Sequence, residues 1–170
     1  MDQLNGLDTT IIENLVNRYK VHPDEANSSW SSTVVWQSGF HVEVGIRDHE
    51  TISVDEPLWL AGANSGPNPV ELLLGALGSC MSIGFIATAS FMGVKVHSLE
   101  TKVSGDIDLQ VFLGLKEGNS GFDHISVNFK VDSPADEEQI QSIISQVVKL
   151  SPVKNTIERM VSVETGLTRV

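Results

Sequence analysis

The chain contains a single cysteine, Cys80, so it cannot close an intramolecular disulfide. A secreted domain of this size more often carries an even disulfide set, and no basic segment followed by an apolar run opens the sequence. Both absences point to the cytoplasm as the expected compartment. Basic residues are also scarce: 11 Lys and Arg face 22 Asp and Glu, giving a net charge of −11, and the cations are scattered instead of forming a stripe. Such a balance repels phosphate backbones and anionic lipid surfaces, so neither nucleic acid nor membrane is an expected partner. The five histidines, at positions 22, 41, 49, 97 and 124, show no paired ligand spacing. With one thiol available, no metal and no cofactor are expected. Repeats and low-complexity segments are absent as well.

What is present reads as one α+β domain with an N-terminal accessory helix. Residues 1–29 form that helix and a linker, and residues 30–170 form the main domain. Asp8 precedes Ile11, Ile12, Leu15, Val16 and Tyr19, an amphipathic spacing that ends near Pro23. From Trp30 the period changes to two, with Val42, Val44 and Ile46, then Ile52 and Val54, alternating with polar neighbours. Asp55 and Glu56 end this stretch at a turn before Pro57. A loop rich in Gly, Asn and Pro leads to a long apolar helix from about Pro69 to Met92, stopped by Gly93. Strand character returns over Val94 to Leu113 and Phe122 to Val131. Ser133 is the expected N-cap of a second helix striped by Ile140, Ile143, Ile144, Val147 and Val148; Ser151 and Pro152 restart a short helical turn, and Met160 to Val163 reads as a last strand.

The long helix satisfies the length rule for a membrane span, yet Gly75, Gly78, Ser79, Ser82, Gly84, Thr88 and Ser90 dilute it and no basic flank borders it. A buried central helix is the better reading, and two such helices meeting across a dimer axis would bury one another. On this helix, Leu73, Leu77 and Ile83 share the face of Cys80 and are the expected pocket residues. An apolar wall disfavours the thiolate, so Cys80 acts as a nucleophile only with a cation or donors brought from elsewhere. No Lys or Arg occurs between Arg47 and Lys95, which leaves Arg47, read as a strand residue, as the nearest candidate cation. Glu71, near the helix start, interacts favourably with the helix dipole and is a weaker candidate.

The run Gly66-Pro67-Asn68-Pro69-Val70-Glu71-Leu72-Leu73-Leu74, followed by Ala76-Leu77-Gly78-Ser79-Cys80, resembles the helix signature of the OsmC/Ohr family. Asp55-Glu56-Pro57 and Ser151-Pro152-Val153 match at further places, and the order of elements fits over roughly residues 30 to 166. The resemblance implies antiparallel sheets wrapped around a central cysteine-bearing helix in an intertwined homodimer. It also implies thiol peroxidase chemistry: one cysteine attacks an organic hydroperoxide, a second resolves the sulfenic acid, and Arg and Glu hold the thiolate. Cys80 matches the peroxidatic position. Ser151 occupies the place of the resolving cysteine, Val70 that of the glutamate, and the stretch Trp36-Gln37-Ser38-Gly39-Phe40-His41 holds no arginine. The expectation is therefore a member lacking the second cysteine. It either reduces organic hydroperoxides or related apolar electrophiles with an external dithiol, or binds a small hydrophobic ligand at the dimer interface without turnover.

Overall fold

Capping chemistry sets the element boundaries more sharply than hydrophobic period does. The computed structural model describes residues 3–169. The contacts of the described residues divide the chain into two compact units, one formed by Asp8–Gly75 and the other by residues 3–7 with residues 76–169.

In the first unit, the Asp8 carboxylate accepts from the Thr10 backbone at 3.0 Å and starts helix α1, Thr9–Val21. Arg18 and Lys20 lie in its last turn, against the negative end of the dipole. Strands β1 (Thr33–Ser38), β2 (His41–Gly45) and β3 (Ile52–Val54) form an antiparallel sheet in that order. The register pairs Val34 with Val44 and Trp36 with Val42, then Val42 with Val54 and Val44 with Ile52, so these six residues share one face. Arg47, expected on a strand, sits in the turn between β2 and β3 at φ 52°, exposed to solvent. The left-handed backbone there removes it from the ladder.

The loop after β3 folds around Asp55, which is 2% exposed. Its carboxylate accepts from the backbone of Glu56 (2.8 Å), Ala63 (3.0 Å) and Ser65 (3.2 Å) and from the Ser65 hydroxyl (3.0 Å). Gly66 closes the same loop against β3, where a Cβ would stand 2.1 Å from the Ser53 carbonyl oxygen, and only glycine fits.

Helix α2, Pro69–Phe91, is shared by both units. In the second unit its residues Leu77, Met81, Phe85 and Ala89, four apart, form the buried stripe. They pack in one core with Val94, Val96, Ile143 and Val147 and with the inward residues of β4 (Ser98–Gly105) and β5 (Ile125–Asp132), an antiparallel pair. The Phe85 and Phe129 rings are tilted 34° with centroids 5.7 Å apart. Gly93, at φ 71°, ends α2: its N–H donates to Ser90 and that of Val94 to Ala89, the paired bonds of a Schellman cap.

Three expectations are corrected in this unit. The strand character read through Leu113 stops at Gly105, because Asp108 caps a helical turn, α3 (Leu109–Phe112), and binds the Lys116 ammonium at 2.9 Å. The second long helix, α4 (Glu137–Leu150), is capped by Asp136 rather than Ser133; Asp136 and Gln139 form a reciprocal capping box, while Ser133 donates to the Lys95 carbonyl at 2.6 Å. Met160 to Val163 pairs with no strand among the described residues and lies exposed, since a strand needs a ladder partner. The short helix α5, Pro152–Ile157, forms as expected after Ser151.

Candidate functional site around Cys80

Cys80 lies on α2 one residue before the buried Met81, and its side chain is half-buried. Its sulfur is 3.2 Å from the hydroxyl of Ser151, the residue standing between α4 and α5. Ser151 is 5% exposed and occupied on every side. Its N–H donates to Val147 at 2.9 Å, closing α4, and its Oγ accepts from the Lys154 N–H at 3.3 Å, opening α5. A hydroxyl has one proton and two lone pairs. With one lone pair on Lys154 N–H, the Ser151 proton is free to point at the sulfur, and it is the only possible donor of that pair when Cys80 is a thiolate. The site thus offers the sulfur a neutral hydrogen-bond donor. Lys154, on the helix that Ser151 caps, directs its ammonium to Glu158.

The other residues singled out in the sequence fall as follows. Leu77 is buried, whereas Leu73 and Ile83 are exposed. Glu71 accepts from the Asn68 N–H at 2.8 Å while its own N–H donates to the Asn68 side chain at 3.0 Å. That reciprocal box accounts for Glu71 at the start of α2. Arg47 forms no ion pair among the described residues. Among the same residues, no three His, Cys, Asp or Glu side chains converge as a metal site.

Two features carry no clear signature in the sequence. A cavity of about 510 Å³ in the second unit is lined by apolar residues that include Leu77, Met81, Ile125 and Ile157 and by the charged side chains of Lys154, Glu158 and Asp123. On the sheet of the first unit, the His41 ring nitrogen Nε2 lies 2.9 Å from both Glu43 Oε1 and Ser53 Oγ. Hydrogen bonds from Thr51 and then His41 hold the Glu43 carboxyl below the usual carboxylate range. Only the β2–β3 register, which sets Glu43 opposite Ser53, brings these side chains together.

The OsmC-like protein family matches residues 62–166, a span that holds the whole Cys80–Ser151 contact and more than half of the chain. The chain belongs to the OsmC-like protein family. Solved structures of OsmC-like proteins share its α+β fold. The OsmC-like protein from Mycoplasma pneumoniae aligns with TM-score 0.67 at 21% identity, over 78% of this chain and 89% of that one. An organic hydroperoxide resistance protein OsmC from Legionella pneumophila aligns with TM-score 0.57 at 13% identity, over 78% and 92%. The organic hydroperoxide resistance protein OhrB of Bacillus subtilis aligns with TM-score 0.52 at 18% identity, over 76% and 91%. No curated protein matches the sequence. By length and composition α2 could cross a membrane. Within the second unit α2 supplies core residues, with Phe85 and Ala89 fully buried against protein.

Proposed function

We propose that the protein is a one-cysteine, thiol-dependent reductase of organic hydroperoxides or related apolar electrophiles, acting in the oxidative stress response. The observation that carries this reading is the Cys80 sulfur at 3.2 Å from a buried hydroxyl, at the family's cysteine position. Two of the structural relatives are named for organic hydroperoxide resistance, which supports the same chemistry. In the proposed cycle the Cys80 thiolate attacks the terminal peroxide oxygen, the O–O bond breaks, and the departing alkoxide takes from solvent the proton that Cys80 gave up on ionising, leaving as the alcohol. The sulfur becomes a sulfenic acid. With Ser151 in place of a second cysteine, an external dithiol attacks that sulfur and water departs. Its second thiol then breaks the mixed disulfide, releasing Cys80 and an oxidised dithiol. Ser151 serves as the donor that orients the sulfur. The working unit is a cytoplasmic homodimer of the OsmC-like domain, residues 30–170, with residues 1–29 as an accessory element. The apolar side chains that the protomer leaves uncovered on α2, Ile83 and Phe91 among them, support the dimer. The test is consumption of an organic hydroperoxide with dithiothreitol or lipoamide by wild type and by Cys80→Ser. Wild type turns over and the variant falls to background; equal rates in both exclude the proposal.

A second reading, a non-catalytic member that binds a small hydrophobic ligand, is favoured by the neutral character of the Ser151 contact and by the cavity lined in part by Leu77 and other apolar residues. Under this reading the dimer interface, where Leu73 and Ile83 would join Leu77, holds the ligand. Native mass spectrometry of gently purified protein then shows a bound apolar molecule, and a clean apo mass counts against it.

A further inference from the structure

The residues ahead of α1 lie outside the family match, yet they make a dense set of polar contacts to the end of the cysteine helix. Asn5 stands at φ 55°, ψ 24°, a left-handed conformation that asparagine tolerates better than most residues. From there its half-buried side-chain amide reaches the segment leaving α2. Its Nδ2 donates to the Val94 carbonyl at 2.9 Å and its Oδ1 accepts from the Val96 N–H at 2.8 Å. The carboxamide therefore pairs with the chain as a neighbouring peptide group would. The same Nδ2 lies 3.1 Å from the hydroxyl of Ser90, which is itself buried and donates to the Ile86 carbonyl at 2.7 Å. Val94 and Val96 are both buried, so their polar backbone groups need a protein partner. The Schellman cap satisfies the Val94 N–H through Ala89, but it leaves the Val94 carbonyl and the Val96 N–H to Asn5.

We propose that residues 3–7 are a latch on the C-terminal end of the cysteine helix, held by the Asn5 carboxamide, which opens and closes as a local unit without unfolding the rest of the chain. The latch is short and half-buried, and it is held chiefly by one side chain. Those are the properties of a segment at the low-stability end of a fold, whereas the Phe85–Ile143 core defines the high end. Opening strips the partners from the Val94 carbonyl and the Val96 N–H, next to the end of the helix that carries Cys80, and leaves the helix cap in place.

The Val96 amide is a direct reporter, because its bond runs to Asn5, while the neighbouring Val94 amide reports the helix cap. Hydrogen exchange resolved by NMR on the full chain separates them. Asn5→Gly keeps the left-handed backbone accessible and deletes the carboxamide; the Val96 amide then exchanges at least about tenfold faster, and Val94 keeps its wild-type rate. An unchanged Val96 rate, or equal acceleration of Val94, overturns the latch. If Asn5→Gly does not fold, the wild-type protein decides through a denaturant series. Val96 exchange that is nearly independent of denaturant supports local opening, and exchange that tracks global unfolding refutes it.

Discussion

Ser151 does three things with one side chain and one N–H: it ends α4, starts α5 and meets the Cys80 sulfur. Each role predicts a separate consequence. Ser151→Ala removes the α5 cap and costs about 1 kcal/mol in a denaturant titration. If the hydroxyl also orients the thiolate, the same variant loses alkylation rate at Cys80 by more than that stability change explains. Ser151→Cys places a second sulfur where an oxygen now lies 3.2 Å from Cys80. Small side-chain rotations bring that separation to bonding distance, so mild oxidation is expected to close an intrachain disulfide, seen as the disappearance of both titratable thiols under denaturing conditions. Asp55 predicts a pH dependence. Burial alone pushes its carboxyl upward, and the bonds from Ser65, Glu56 and Ala63 more than offset this, leaving it below the usual range. A carboxyl whose folded pKa is depressed stabilises the fold above its unfolded value, roughly 3.9, and loses that contribution as pH falls through the folded pKa. Asp55→Asn is therefore less stable than wild type at neutral pH, and the gap narrows once the pH is acid enough to protonate Asp55 in the folded protein. A gap that stays constant across that range refutes the assignment.

At the scale of elements, the Asn68–Glu71 box separates a structural from a catalytic Glu71. Asn68→Ala is expected to cost about 1 kcal/mol by removing the acceptor for the Glu71 N–H. Glu71→Gln retains an acceptor for the Asn68 N–H, so both stability and hydroperoxide turnover stay near wild type; a large loss of turnover with intact stability would restore a catalytic role. The elements themselves were legible where a local pattern and its packing agree. The stripe of α4, the alternation of β5 and the glycine stop of α2 are each written in adjacent residues. They failed where a short polar contact outweighed pattern. Asp108 bends an apolar run into α3, and Asp136 takes the cap because Gln139 can answer it three residues on, whereas Ser133 turns to the Lys95 carbonyl. Met160 to Val163 has strand composition but no edge to join within the described chain, and composition alone cannot supply one. For the site, the sequence located Cys80 and Ser151 but could not measure their approach, which depends on α4 ending where it does. The Asn5 contacts and the His41–Glu43–Ser53 cluster join residues whose meeting depends on tertiary placement, and no periodicity announces them.

For the whole molecule, the distribution of apolar surface on α2 sets the final expectation. The helix buries one stripe in the core and leaves Leu73, Ile83 and Phe91 uncovered, with Ile83 71% exposed. A chain of net charge −11 does not solvate such a face without cost, and burying a side chain of this size contributes roughly 1.5–3 kcal/mol. A partner copy is the economical cover, because a two-fold contact through one α2 doubles every residue's contribution. Sedimentation equilibrium should then report a species of about twice 18.4 kDa. Ile83→Asp tests the face directly. Ile83 contributes little to the protomer's own core, so the variant keeps its secondary structure. Two carboxylates brought to a closed apolar contact weaken the dimer by far more than the lost burial alone, since like charges there find neither water nor a cation. The expected result is a folded monomer at concentrations where wild type is dimeric. A variant that sediments as wild type places the dimer contact elsewhere on the protomer, and a wild-type monomer removes the homodimer from the proposal.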